Sequence, residues 1–596
     1  MKLTLEQRAA VHDPGNVCVL SCPGSGKTRT VVAKLTRCID EVRGTTRRVA
    51  CITHTNAAAD EILARVRDLS SNEDQLYFDV ATIHSFALRH LLTPFGHLLP
   101  EFQNQMRLLV PEEAEYLAKI TEFVEGYGLD RNAPHEFEQI QRGPDGALGR
   151  LEAIPEYVQR RWCEWLDQNA MTTLGDIVFH AGRLIAMPHI ASAIASRFAW
   201  ILVDEFQDSS PGQTSLIAHI HAFQRTRFFC VGDPFQAIYG FAGATPDALA
   251  RFAADIQANT NYRLTGNFRS SAEICALADR LRVDDPAMQA VGEHADWPGV
   301  PSHVRVATQS DGIFDHFLPA AAALNVLPGQ IAILAASWYA LLPMARALRE
   351  RGIPAIGPGA RPYRRQHLIS HLLEPIGAYL ESPEPAIAFE VQRALFFVVL
   401  VLSERTTHLP WGFKTRIAVR KMLETATVAR GVTNLAVEWV TDVARRIADV
   451  LVEAEILQRS AADTLVASAG QMNADILERD GGDALTVGDL GVFARPSHCV
   501  QLMTVHKSKG REFQAVAVLE AHDGAFPNFR INRVGDAEER EARIAESRRV
   551  FYVASTRAKR LLMFLTDTRL RAGRYPNVPS PFLAEMGLNA AGQRRF

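Results

Sequence analysis

Residues 21 to 28 read SCPGSGKT and follow an apolar, β-branched run, VCVL at 17 to 20. Binding a phosphate chain takes main-chain N–H groups that converge at a helix N-terminus, and Gly24 and Gly26 let the backbone curl that closely. Lys27 is then placed to meet the β and γ phosphates, and Thr28 to ligate Mg2+. Ser21, Cys22, Pro23, Gly24, Ser25, Gly26, Lys27 and Thr28 together form the candidate cradle, with Ser21 where the pattern has its first glycine. A second run, ILVDEFQD at 201 to 208, is an apolar strand that ends on two acids. At the carboxyl edge of a parallel sheet Asp204 can hold Mg2+ and Glu205 can polarise an attacking water. The expected cofactors are ATP and Mg2+.

These residues need strands that end at a common edge. Short apolar runs recur between helical patterns: VCVL, VACI at 49 to 52, WILV at 200 to 203, FFCV at 228 to 231 and AVAVL at 515 to 519. The alternation predicts an α/β protein with parallel sheets wrapped by helices. Between about Phe86 and Ser196 the strand signal gives way to helical spacing. A second sheet is expected to start near Tyr262, to include IAILAAS at 331 to 337, and to resume at VQLMTV near residue 500 after a mostly helical stretch. The plan is two sheet domains, each carrying a helical insertion: 1–85, 86–196 (insertion) and 197–261 for the first, then 262–380, 381–491 (a short insertion) and 492–596 for the second.

The 596 residues are 47% hydrophobic, enough for about four cores, which excludes intrinsic disorder as the main state. Lys and Arg number 64 against 67 Asp and Glu, so a polybasic protein is excluded and any nucleic-acid site must be local. The stretch Arg543 to Arg574, with nine basic residues and two acids, is the candidate for that basic surface. Eight cysteines without a CxxC pair argue against a zinc ribbon or a disulfide scaffold and suit a reducing cytoplasm. The start, MKLTLEQRAA, lacks the features of a signal peptide. The apolar run Ala394 to Leu402 is about half the length of a membrane span and is read as a buried helix or strand, so no membrane partner is expected.

Further motifs, in order along nearly the whole chain, resemble those of the UvrD/Rep/PcrA group of superfamily 1A DNA helicases. They are LTLEQRAAV around Gln7, the loop with Arg29 after it, ITHTNAAADE (52 to 61), VATIHSFA (80 to 87), VGDPFQAIYGFAGA (231 to 244), GNFRS (266 to 270), QLMTVHKSKGREF (501 to 513) and RRVFYVASTRAKRLL (548 to 562). The resemblance implies two RecA-like P-loop domains. It implies that Gln7 reads adenine, that Arg29, Phe268 and Glu512 help bind the nucleotide, and that Gln236 couples hydrolysis to strand grip. Arg269 and Arg557, both expected on the second sheet domain, would act as arginine fingers.

The same resemblance assigns strand contacts to His54, Thr55, Asn56, Thr82, His84, Tyr239, Phe241, Thr504 and His506. Bases need aromatic faces, and Tyr239 and Phe241 would supply them; their alternative is core packing. Two positions depart from the family: His54 stands where it has Phe, and Ala242 where it has Arg. Imidazole is the smaller platform. The implied activity is ATP-driven translocation on single-stranded DNA and 3′ to 5′ unwinding of tailed duplexes, in repair or in antiviral defence. A second reading is an ATP- and DNA-sensing subunit beside a separate nuclease, as in Gabija-type phage defence. A third, a binding module with a dead ATPase site, is disfavoured by the intact candidate residues. Nothing in the motifs reads a 2′-hydroxyl, which leaves RNA open as a substrate.

Overall fold

The computed structural model describes residues 2–588 apart from 70, 104, 112–113, 131–132, 150, 241–242, 283–285, 298–299, 365–366, 403–411, 480–481, 569 and 572–574. The chain divides into two compact units, Met1–Trp297 with Val534–Thr556, and Pro298–Arg533 with Arg557–Phe596. Each is built on a parallel six-stranded sheet with a helical insertion. This is the architecture of two RecA-like domains.

In the first unit the strands are β1 (Val17–Ser21), β2 (Arg48–Thr53), β3 (Phe78–Thr82), β4 (Phe198–Val203), β5 (Arg227–Gly232) and the short β6 (Arg263–Leu264). Their order across the sheet is β3-β2-β4-β5-β1-β6. Side chains alternate between two cores, one on each face, as the two-residue strand period requires. Trp200 and Leu202 of β4 pack with Val17, Val19 and Leu35 on one face. Ile201 and Val203 pack with Cys18, Ile52 and Phe228 on the other. Both faces are covered, so these strands read as continuous apolar runs.

Two expected boundaries shift. Arg263 and Leu264 pair with Leu20 and Ser21 of β1, so the stretch after Tyr262 extends the first sheet. The second sheet begins at Val300 instead, because residues 262–297 pack within the first unit. The insertion of 86–196 is also divided. Helices α5 (Ala114–Tyr127) and α6 (Glu156–Gln168) enclose a separate core around Trp162. Helices α7 (Ile177–Ile185) and α8 (Pro188–Arg197) belong to the core beneath the sheet. Ahead of them run α1 (Leu5–His12), α2 (Lys27–Val42), α3 (Asn56–Arg67) and α4 (Ile83–Ala87).

The second sheet has the order β7-β12-β11-β8-β10-β9, with β7 Val300–Val306, β8 Ile331–Ala335, β9 Ala355–Ile356, β10 Val500–Thr504, β11 Phe513–Val518 and β12 Ala558–Asp567. Its insertion is a bundle of α9 (Ser370–Glu381), α10 (Pro385–Leu402), α11 (Phe413–Val432), α12 (Ala436–Glu453) and α13 (Arg459–Leu477). The bundle core already starts at Tyr363 and includes α9, ahead of the expected start at 381. Helix α10 contains the run Ala394 to Leu402 and is long and apolar enough to cross a membrane by length and composition alone. Only 22% of it is buried: Val391, Leu395, Val398 and Val399 face the bundle, while Phe389, Phe397, Leu400 and Val401 are exposed. After β10 comes the single turn α14 (Val505–Ser508), and α15 (Ala537–Ser555) carries the chain back to the first unit.

The basic stretch from Arg543 to Arg574 is not one surface. Arg543 pairs with Glu539 and Lys559 with Glu512. Arg557 is buried, and the Arg549 guanidinium donates to the Ala237 carbonyl. The expectation failed because residues 558–567 form an inner strand of the second sheet and not a solvated helix face.

Trp439 fills the centre of the bundle, with its indole N–H donating to the Ala426 carbonyl. Trp439→Ala should cost about 3–5 kcal/mol locally. Amide exchange across α11, α12 and α13 should accelerate while the P-loop helix α2 keeps its protection. Equal acceleration in α2 would contradict a separately packed insertion.

Candidate nucleotide site and nucleic-acid interface

β1 delivers the phosphate loop and α2 receives it. Gly24 and Gly26 adopt positive φ of 67° and 77°, and Gly26 is the N-cap of α2 without a side-chain cap. The first-turn N–H groups therefore point into the loop, which suits an anion. Ser21, standing where the pattern has glycine, turns away and donates to the Gly232 carbonyl at 2.8 Å. Cys22 is buried, and burial pushes its thiol up to about 12, so it is inert packing. All eight cysteines are buried and free. The Ser25 Oγ is buried without a hydrogen-bond partner among the described residues, and Lys27 is 8% exposed and 3.8 Å from Glu205. An orphaned hydroxyl and a loosely paired buried cation are the groups a triphosphate would satisfy.

The Mg2+ candidates meet directly: Thr28 Oγ1 donates to Asp204 Oδ2 at 3.0 Å. Burial, and after it the Glu205 charge, raises the Asp204 carboxyl to about 7, against the pull of Lys27 and Thr28. A hydroxyl and a buried carboxylate are hard oxygen donors that fit Mg2+, and its charge would offset that desolvation. Glu205 follows with φ 53° and ψ 44°, a left-handed conformation that costs of order 1–3 kcal/mol in a non-glycine residue. Two bonds hold it there. Its N–H donates to Asp204 Oδ1 at 3.0 Å, and Gln207 Nε2 donates to its Oε2 at 2.6 Å.

Gln207 was not among the expected site residues, although it lies within the motif ILVDEFQD. Its Oε1 accepts the Asp233 N–H at 2.9 Å, and Asp233 Oδ2 accepts Gln236 Nε2 at 2.6 Å. A continuous hydrogen-bonded chain thus runs from Glu205 to Gln236. Its buried polar members are satisfied by one another, which fixes their geometry.

On the other side of the loop, Gln7 is held by a capping box with Thr4 and donates to the Ser25 carbonyl at 2.8 Å. Arg29 lies half-buried in the first turn of α2. The Phe268 N–H donates to the Gly24 carbonyl at 2.8 Å, and its ring is 37% exposed. Asn267, also not anticipated, accepts the N–H groups of Arg269 and Ser270 at 2.7 and 2.9 Å and shapes the turn. Arg269 belongs to the first unit and not, as expected, to the second. A Cβ on Gly24 would lie 2.7 Å from Arg269 Cβ, so this arginine is already beside the loop because β6 extends the first sheet. Arg557 does belong to the second unit, where it is buried and donates to the Arg511 carbonyl at 3.2 Å. Glu512 is there too, in an ion pair with Lys559 at 2.6 Å.

The strand-contact candidates gather at the carboxyl ends of strands. Thr55 caps α3 after β2 and Thr82 caps α4 after β3, each accepting a main-chain N–H at 3.2 Å. The Thr82 hydroxyl also donates to Ser85 Oγ at 3.0 Å. His54 and Asn56 are exposed beside Thr55. His84 is half-buried, and burial lowers its pKa, which favours the neutral ring. The rings of His54 and Tyr239 stack at 5.4 Å and 25°. His54 also lines a recess with Thr53, Ile83, Asp204 and Glu205. Phe241 and Ala242 lie outside the described residues. In the second unit Thr504 caps α14 after β10, with His506 in that turn, which repeats the strand–threonine–helix arrangement.

Comparison with known sequences agrees with this geometry. Residues 3–257 match the UvrD/REP helicase N-terminal domain and residues 471–568 the UvrD-like helicase C-terminal domain, together more than half of the chain. The chain belongs to the UvrD/Rep/PcrA-like family of superfamily 1A helicases. The similarity to its members extends over nearly the full length. A probable DNA helicase II homolog of Rickettsia felis is 24% identical, covering 98% of this chain and 95% of its own. DNA helicase II of Haemophilus influenzae is 26% identical, covering 98% and 86%. The ATP-dependent DNA helicase PcrA of Staphylococcus epidermidis is 24% identical over the same shares. The UvrD-like fold thus carries the cradle, the acids and Arg269 in one unit, and Arg557 and Glu512 in the other.

Two substitutions test the nucleotide site. Gly24→Ala places a methyl 2.7 Å from Arg269 Cβ and 2.8 Å from Asn267 Oδ1 at a positive φ, so affinity for a fluorescent ATP analogue should fall at least about tenfold. Unchanged affinity would separate the loop from the nucleotide. Glu205→Gln should retain analogue binding, because Thr28 and Asp204 are untouched, and lose hydrolysis by about 100-fold or more. Loss of binding instead would show that the two acids do not divide their work in this way.

Proposed function

We propose that this protein is an ATP-driven translocase on single-stranded DNA that moves 3′ to 5′ and unwinds tailed duplexes. The observation that carries the reading is the bonded chain Glu205–Gln207–Asp233–Gln236, which ends three residues before Tyr239, stacked on His54. A γ-phosphate group felt at Glu205 and Gln236 is thereby linked to an aromatic face suited to a base. In this reading the loop Ser21 to Thr28 binds the phosphates, Lys27 neutralises them, and Thr28 and Asp204 hold Mg2+. Glu205 orients the attacking water. Arg269 and Arg557 stabilise charge on the transferring phosphoryl group. Gln7, Arg29, Phe268 and Glu512 complete the nucleotide site. The strand contacts are His54, Thr55, Asn56, Thr82, His84, Tyr239, Phe241, Thr504 and His506.

The test is ATPase activity with and without oligo(dT), followed by displacement of streptavidin from biotin at either strand end. DNA should stimulate hydrolysis, and displacement should occur from the 5′ end. Tyr239→Ala removes a base platform of roughly 1–3 kcal/mol, so the half-saturating oligo(dT) concentration should rise about 5- to 100-fold. Equal displacement from both ends would contradict directional motion. Brisk DNA-stimulated hydrolysis without displacement would assign the chain to sensing DNA for a separate nuclease.

A further inference from the structure

The last helix of the first unit, which carries the start of the motif RRVFYVASTRAKRLL, touches the segment from Phe235 to Gly240. Helix α15 presents Glu546, Arg549, Tyr552 and its C-cap Thr556 on one side, over about 15 Å of helix. Glu546 Oε1 accepts the Gly240 N–H at 3.0 Å. Arg549 Nε donates to the Ala237 carbonyl at 2.7 Å. One turn on, the Tyr552 ring meets Phe235 at 6.1 Å, and the Thr556 carbonyl accepts Arg269 Nη1 at 3.1 Å. The two charged side chains thus grip the main chain on either side of Ile238 and Tyr239, and the far end of the same helix holds Arg269 beside the phosphate loop.

Packing alone does not account for the grip. Glu546 acts through its charge on Arg549 of its own helix, and its carboxylate also accepts an uncharged N–H across from it. A carboxylate near a nucleic-acid track opposes phosphate binding, so placing one there has an electrostatic cost. The contact also depends on a glycine. A Cβ at residue 240 would lie 2.4 Å from Glu546 Oε1.

We propose that α15 clamps the Ala237–Gly240 segment through Glu546 and Arg549, and that both are positioning residues that hold Tyr239 ready for a base. The inference rests on the DNA-motor reading above. Charge-assisted bonds to main chain are the stronger kind, and two of them fix the peptide groups that set the Tyr239 backbone. A base then meets an ordered ring and loses less entropy on stacking.

The test measures the oligo(dT) concentration that half-saturates ATPase stimulation, with melting temperature as the control for folding. Glu546→Ala should raise that concentration about fivefold, whereas Glu546→Gln, which keeps an acceptor oxygen, should stay within about twofold of wild type. Gly240→Ala breaks the same contact from the other side and should match Glu546→Ala. The double variant should be no worse than either single one, because both remove one bond. In a Tyr239→Ala background Glu546→Ala should add nothing. A Glu546→Ala protein with wild-type half-saturation, or losses that add in the double variant, overturns the clamp alone. A wild-type enzyme that oligo(dT) does not stimulate overturns the motor reading and the clamp with it.

Discussion

Charge held out of water is the constraint around which the first unit is built. Lys27, Asp204 and Asp233 are each less than a tenth exposed, and Glu205 lies beside them. Left unpaired, a buried ion costs several kcal/mol. Each acid is instead held by a short local bond: Asp204 by Thr28, Glu205 by Gln207, Asp233 by Gln236. Even so, three carboxylates face two cations, Lys27 and, at Asp233, Arg282. The excess is expressed in Asp204, which burial and the Glu205 charge push up to about 7. A site with that imbalance is disposed toward a divalent cation, and one with an uncapped helix N-terminus toward the anion such a cation accompanies.

The rest of the unit follows from keeping this cluster dry and rigid. Strands β1, β4 and β5 must be apolar on both faces, because helices cover both, and they end together so that their last residues converge. The loop after β1 needs two glycines at positive φ to bring main-chain N–H groups inward. Glu205 needs a left-handed backbone to turn from the end of β4 toward Lys27. The strain at Glu205 is tolerated because Asp204 and Gln207 both bond to it.

Much of this was legible in the sequence, for identifiable reasons. Inner strands of a parallel sheet are unbroken apolar runs: VCVL, WILV and FFCV each lie within the strand that forms, and IAILAAS and AVAVL run past the ends of theirs. The loop SCPGSGKT and the acids of ILVDEFQD announce their chemistry because glycine, lysine and paired carboxylates at a strand end have few other uses. Short or charged elements gave less signal. Strand β6 has two residues, too few for any period, so Arg269 was assigned to the wrong unit. Strand β12 begins AKR, which reads as a charged helix face, though LLMFL after it is the apolar core of a strand. Gln207 and Asn267 were missed because a neutral amide has no charge to mark it; only the partners show its work. The clamp from α15 was beyond reach, since it joins residues more than 300 positions apart.

The end of α15 adds a link that neither unit contains by itself. Thr556 is the last residue of the first unit, and Arg557 opens the second segment of the other. The carbonyl that holds Arg269 and the N–H of Arg557 therefore belong to one peptide group. That group is planar and stiff, with a barrier of roughly 18–20 kcal/mol to rotation about its C–N bond. It can turn only as a body, by changes in ψ of Thr556 and φ of Arg557. Any reorientation of the Arg557 backbone that turns this plane must also turn the carbonyl on which Arg269 hangs. The carbonyl of Arg557 is fixed in its own unit by the Phe513 N–H at 2.9 Å. The Thr556 carbonyl is thus held by Arg269, and the next carbonyl along the chain, that of Arg557, by the Phe513 N–H of β11, so the backbone at Arg557 is restrained on both sides.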